Sequence, residues 1–138
     1  MRYYLDTNML VFILSNDSDE INPKVTDVLR DYSTILYVSS VAVKEFILLF
    51  RIGKLKTHRY KSEHDVLEKL SKSDIEIIFF NEHHFNKYTQ LQIVDGHKDM
   101  NDHAIIAQAI ADKIPVISSD GKFKLYEKQG LQLVFNKR

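Results

Sequence analysis

A chain of 138 residues with 44% hydrophobic composition, 4 Gly and 2 Pro is long enough to bury a core and too apolar for disorder or low complexity. Its 19 basic and 19 acidic residues cancel, which excludes the overall positive field of a strongly basic nucleic-acid binder and leaves any polyanion to local patches. With no cysteine there is no disulfide, thiolate zinc site or cysteine nucleophile; with no secretory leader pattern or membrane-length apolar run, the chain reads as one soluble, cytoplasmic domain over 1–138.

Arg2 to Leu5 is short, aromatic and apolar, as a central strand is, and Thr7 or Asn8 is placed to cap a helix over Met9 to Leu14. Asp6 then stands at that strand's carboxyl end. Asn16 to Asn22 is a polar loop, and Pro23 opens a helix on which Val25, Val28, Leu29 and Tyr32 recur at helical spacing. Thr34 to Val38 predicts the second strand, and Ser39 or Ser40 caps a helix running to about Ile52, before Gly53. Glu45 lies on that helix among Val41, Ala42, Val43, Phe46, Ile47, Leu48 and Leu49. It stands roughly 7 Å along the axis from Ser40, within reach of the strand edge.

From Arg51 to Lys61 the chain is basic, with Arg51, Lys54, Lys56, His58, Arg59 and Lys61, either a phosphate-contacting patch or a solvated connection. A helix follows over Glu63 to Lys72. Ile75 to Phe80 reads as a buried strand, and Asn81 caps a helix carrying Phe85, Tyr88 and Leu91. The polar loop from Val94 to Met100 delivers Asp102 to the start of a nearly buried helix, whose Ala104, Ile105, Ile106, Ala107, Ala109, Ile110 and Ala111 leave a narrow polar strip at Gln108 and Asp112. Ile114 to Ser119 is a strand ending in Asp120-Gly121. A short helix from Phe123 to Lys128 stops at Gly130, and Leu131 to Phe135 supplies the last strand. The alternation predicts an α/β fold with right-handed crossovers, a mainly parallel sheet of four or five strands and helices on both faces. Ligands bind such sheets beyond the strands' carboxyl ends, where Asp6 and Asp120 fall.

Taken singly, Asp6, Asp102 and Asp120 are explained by helix capping and the macrodipole, and Glu45 by a salt bridge to a nearby Lys or Arg. Together, four carboxylates at one rim suit a hard divalent cation, Mg²⁺ or Mn²⁺, and phosphodiester chemistry. Asp99 is either an outer ligand or part of a solvated loop. Ser118, two residues before Asp120, either contacts water or substrate or bonds within the turn. His97 and His103 flank Asp102 without zinc-binding spacing and are read as non-ligating, and His83-His84 has no evident partner. No nucleophile elbow or glycine-rich phosphate loop is present in the sequence.

Tyr4-Leu5-Asp6-Thr7-Asn8, Ser39-Ser40 leading to Glu45, Asn101-Asp102-His103-Ala104-Ile105-Ile106-Ala107 and Ile117-Ser118-Ser119-Asp120-Gly121-Lys122-Phe123 occur in the order and spacing of PIN-domain nucleases. Over almost its whole length the chain resembles the VapC-like toxins of that family. The resemblance implies a three-layer α/β/α PIN-like domain and a Mg²⁺- or Mn²⁺-dependent endoribonuclease with Asp6, Glu45, Asp102 and Asp120 as its acidic cluster. It also implies an RNA substrate, a homodimer, and a cognate antitoxin that occupies a groove and blocks the site. Where the family commonly has Asp-Pro-Phe-Asp, this chain has Asp99-Met100-Asn101-Asp102, keeping both acids. A non-toxin processing nuclease and an inactive partner-binding module of the same fold are the alternatives. A phospho-aspartate enzyme ranks below them, because Asn8 stands where its second acid belongs.

Overall fold

The computed structural model describes residues 1–55, 59–94 and 96–138. Lys56 and His58 of the basic stretch lie outside the described residues. The chain begins with β1 (Arg2–Leu5), α1 (Thr7–Leu14), a 3-10 turn at Ser18–Glu20 and α2 (Pro23–Arg30). Next come β2 (Ile35–Ser39), α3 (Ser40–Arg51), α4 (Glu63–Lys72), β3 (Ile75–Ile78), α5 (Glu82–Gln90) and α6 (Met100–Asp112). It closes with β4 (Val116–Ser118), a 3-10 helix at Gly121–Gln129 and β5 (Leu133–Phe135).

Every strand pairing is parallel, in the order β3-β2-β1-β4-β5. The chain lays β2 and β3 outward on one side of β1, then crosses back to add β4 and β5 on the other, so the order reverses at β1. Successive residues Tyr4 and Leu5, pointing to opposite faces of the sheet, are 1% and 0% exposed, and Val116, Ile117 and Ser118 are equally buried. Burial on both sides requires helices on both faces, so the architecture is three-layer α/β/α, as the sequence pattern implies.

Helix α6 is the apolar element its composition predicts. Ile105 and Ile106 are buried in the core, each stabilising the fold by about 1.5–3 kcal/mol. Its polar positions are not a solvent strip. Gln108 is buried, with its Oε1 accepting from Ser39 Oγ at 2.6 Å and its Nε2 donating to Tyr4 Oη at 3.2 Å and to Ile78 O at 3.0 Å. Asp112 accepts from Tyr4 Oη at 2.5 Å and from His84 Nε2 at 2.9 Å. His84 therefore has a partner, and its Nδ1 accepts the Asn81 N–H in the capping box that opens α5.

Several boundaries are tighter than their apolar runs suggest, because backbone groups at the run ends bond elsewhere. Phe80 N–H donates to Ser40 Oγ at 3.0 Å, Ile114 N–H to Ala109 O at 3.1 Å and Leu131 N–H to Tyr126 O at 3.2 Å, which leaves shorter β3, β4 and β5. Tyr32 lies beyond α2 and is fully exposed rather than packed, since the helix stops at Asp31. The expected helix from Phe123 to Lys128 is 3-10 and begins at Gly121.

Candidate active site

Strands β1 and β4 run side by side at the reversal, and residues from both carboxyl ends meet in a cleft of about 190 Å³ lined by Asp6, Thr7, Asn8, Glu45, Leu49, Asp99, Asp102 and Asp120. All four sequence-derived acids, and Asp99 with them, reach this one space.

Asp6 is the N-cap of α1: its Oδ1 accepts from Met9 N–H at 2.9 Å, so the cap is Asp6 and not Thr7 or Asn8. Its Oδ2 accepts from Ser118 Oγ. The same Ser118 oxygen accepts from Asp120 N–H at 3.0 Å, so one hydroxyl ties the acid after β1 to the turn carrying the acid after β4. Asp120 in turn caps the 3-10 helix through Lys122 N–H at 2.9 Å. Asp99 caps α6 through Asn101 N–H and Asp102 N–H, at 3.0 and 3.1 Å. Glu45 reaches back from α3, but its partner is a hydroxyl rather than the expected cation: Thr7 Oγ1 donates to Oε1 at 2.6 Å.

The electrostatics are those of crowded, half-dry acids. Burial, chiefly, pushes Asp6 up to about 7; Asp102 and Asp120 add to the rise while Ser118 and Met9 N–H oppose it. Asp102 is likewise pushed up to about 7 by burial and by Asp99, Asp120 and Glu45, with Lys122 pulling the other way. Burial also raises Glu45. Among the described residues, ion pairs involving Lys or Arg include Arg51–Glu63, Lys72–Glu68 and Arg138–Glu20, none of them between lining residues of the cleft. Among the described residues, no three His, Asp or Glu side chains approach closely enough to enclose an ion as they stand. Asp6, Asp99 and Asp120 are each held by a cap, and Glu45 by a hydroxyl, in that spacing. The donor chemistry still fits a hard divalent cation: carboxylate oxygens only, with like charges left to repel one another.

The sequence matches the PIN domain over residues 3–129. This chain belongs to the PIN domain family. PIN domains are in general nucleases that use divalent metals. Solved structures sharing the fold include VapBC2 of Rickettsia felis bound to a DNA fragment from its promoter, with 24% identity, 99% of this chain and 100% of that chain covered, and a TM-score of 0.67. FitAcB of Neisseria gonorrhoeae is also 24% identical, covering 99% and 97%, with a TM-score of 0.61. VapBC-5 of Mycobacterium tuberculosis, a member of the VapBC family of toxin-antitoxin systems, is 19% identical, covering 97% and 98%, with a TM-score of 0.59. No curated protein matches the sequence.

In this PIN domain His97, read from the sequence as a non-ligating neighbour of Asp102, is buried against that acid in a way its spacing does not reveal. His97 lies 3.1 Å from Asp102 Oδ2 through its Nε2. Its spacing from Asp102 fits no metal motif, and only the loop's path brings the ring to the carboxylate. No helix among the described residues is long and apolar enough to cross a membrane.

Proposed function

We propose that the protein, as a single nuclease domain over 1–138, is a divalent-metal-dependent endoribonuclease and the VapC-like toxin of a toxin-antitoxin pair. The observation that carries this reading is the meeting of Asp6, Glu45, Asp102 and Asp120 in one cleft at the sheet's reversal, with burial and mutual repulsion raising Asp6 and Asp102 to about 7. Membership of a family of nucleases supports it, as does a fold shared with components of toxin-antitoxin complexes.

Asp6, Glu45, Asp102 and Asp120 are the residues that would hold Mg²⁺ or Mn²⁺, with Asp99 and Ser118 behind them. When bound there, the ion supplies Lewis acidity at the phosphate and neutralises charge on the leaving oxygen. The chain's own contribution is positional and electrostatic. Asp6 or Asp120 orients a water in line with the scissile P–O bond. Ser118 fixes the Asp6 carboxyl through Oδ2, while the Met9 N–H fixes Oδ1. Lys122 and Lys44 stand beside the cleft as contacts for the flanking phosphates.

Glu45 also lines a neighbouring groove of about 640 Å³ whose apolar lining includes Val43, Leu48, Leu67, Ile77 and Phe79. An antitoxin seated in that groove would block RNA from the acids. The protein acts in the cytoplasm as a homodimer, as the likeness to VapC toxins implies.

Purified protein is expected to cleave single-stranded RNA with Mg²⁺ or Mn²⁺, to stop with chelator, and to lose about 10²-fold or more in Asp6→Asn. Metal-independent cleavage that persists in Asp6→Asn overturns the reading. Inhibition by the product of a neighbouring small gene separates a toxin from a processing nuclease.

A further inference from the structure

Beyond the acids lies a second set of polar groups that the reaction as described does not use. His97 is 2% exposed, and both of its ring nitrogens are engaged: Nδ1 with Tyr126 Oη at 2.9 Å and Nε2 with Asp102 Oδ2 at 3.1 Å. Tyr126 is itself buried, and its oxygen accepts the Val94 N–H at 3.3 Å. The His103 ring packs edge-on against His97 with centroids 4.7 Å apart, and His97 N–H closes onto Val94 O at 2.9 Å.

The direction of these bonds follows from what each group can do. A backbone amide only donates, so Tyr126 Oη accepts from Val94 and has its own proton to give. A carboxylate only accepts, so the ring's proton stands on Nε2, aimed at Asp102, and the Nδ1 lone pair is left to receive the Tyr126 proton. We infer that His97 is a positioning residue for Asp102: the relay from Val94 through Tyr126 fixes its tautomer, and its Nε2–H holds Asp102 Oδ2 so that Oδ1 remains for an ion in the cleft. A carboxylate swinging freely on the first turn of α6 would have to be ordered at the moment of binding; this one is ordered beforehand. Such support from a group behind the ligand is typically worth about 10–100-fold in metal affinity.

The inference rests on the proposed metal site, and a direct measurement separates the two. Mn²⁺ binding followed by electron paramagnetic resonance, on proteins whose folding is checked by circular dichroism, is expected to weaken about 10–100-fold in His97→Phe, which keeps the ring and loses the donor. His97→Gln, which returns an N–H at similar reach, is expected to recover most of the loss. Tyr126→Phe is expected to weaken binding by a smaller factor, because the tautomer is then free. Wild-type binding in a folded His97→Phe overturns the inference while leaving the metal site standing; wild-type protein that binds no Mn²⁺ overturns the metal site and the inference with it. Should His97→Phe not fold, ¹⁵N spectra of the wild-type imidazole at neutral pH decide. The neutral tautomer protonated at Nε2 supports the relay, and one protonated at Nδ1 overturns it.

Discussion

Asp6 divides its oxygens between two partners, and that division explains why its capping role and its proposed role in the metal site do not compete. Oδ1 closes the first turn of α1 while Oδ2 meets Ser118 over the cleft. Asp102 has no cap to make and faces other carboxylates, with the His97 ring and Lys122 set against its charge. A carboxyl whose folded-state pKa rises from 3.8 to about 7 contributes its stability below the unfolded value and loses it as pH climbs through the folded one. Metal-free Asp102→Asn is therefore expected to match the wild type near pH 4 and to become the more stable protein by about 1–3 kcal/mol near pH 8. Thermal melts of both proteins across that range, in chelator, provide the measurement. A variant that melts lower at pH 8 would show that Asp102 is structural. The individual acids were legible in the sequence because acidic residues after apolar strands, or among apolar helix positions, are chemically conspicuous. Glu45's partner was not, since a hydroxyl 38 residues earlier leaves no mark in local composition.

At the scale of elements, one buried amide joins α6 to three strands. Gln108 receives Ser39 Oγ from the end of β2, donates to Tyr4 on β1 and donates to the last carbonyl of β3. Replacing it by leucine keeps much of the volume, leaves the Ser39 hydroxyl proton without its acceptor while its oxygen still caps α3 through Val41 N–H, and takes the amide donor from the Ile78 carbonyl. The expected cost is about 2–4 kcal/mol, seen as a lower urea midpoint with little change in slope. A loss below about 0.5 kcal/mol would mean that water replaces the amide. Helical periodicity placed Gln108 and Asp112 correctly on a polar strip, but periodicity reports one helix at a time. It cannot say that the strip faces Tyr4, Ser39 and His84 instead of solvent. Strand order was invisible for the same reason: apolar runs identify strands, and pairing depends on how the crossovers return.

Zero net charge becomes informative once the cleft is located. Among the described residues, the cations beside it include Lys44, which donates to Asn101 at 3.2 Å, and Lys122, which acts on Asp102. RNA engagement should therefore release few counterions. The KM for a single-stranded substrate is expected to rise with NaCl at a log–log slope of about 1–2, as two phosphate contacts would give. A slope of about 4 or more would point to an extended basic track outside the cleft. Lys44→Ala and Lys122→Ala should each flatten the slope by less than about 1.

Three acids of the cleft, Asp6, Asp99 and Asp120, are also helix N-caps, and each caps through a single oxygen, Oδ1. Asparagine keeps that oxygen and caps as well as aspartate. In every aspartate codon, one G-to-A transition at the first position makes the exchange. At Asp6 and Asp120, which the proposed reaction uses, the exchange is expected to remove activity and keep the cap, so a lineage under pressure to silence this cleft can do so by a single base at either codon without discarding the protein that surrounds it.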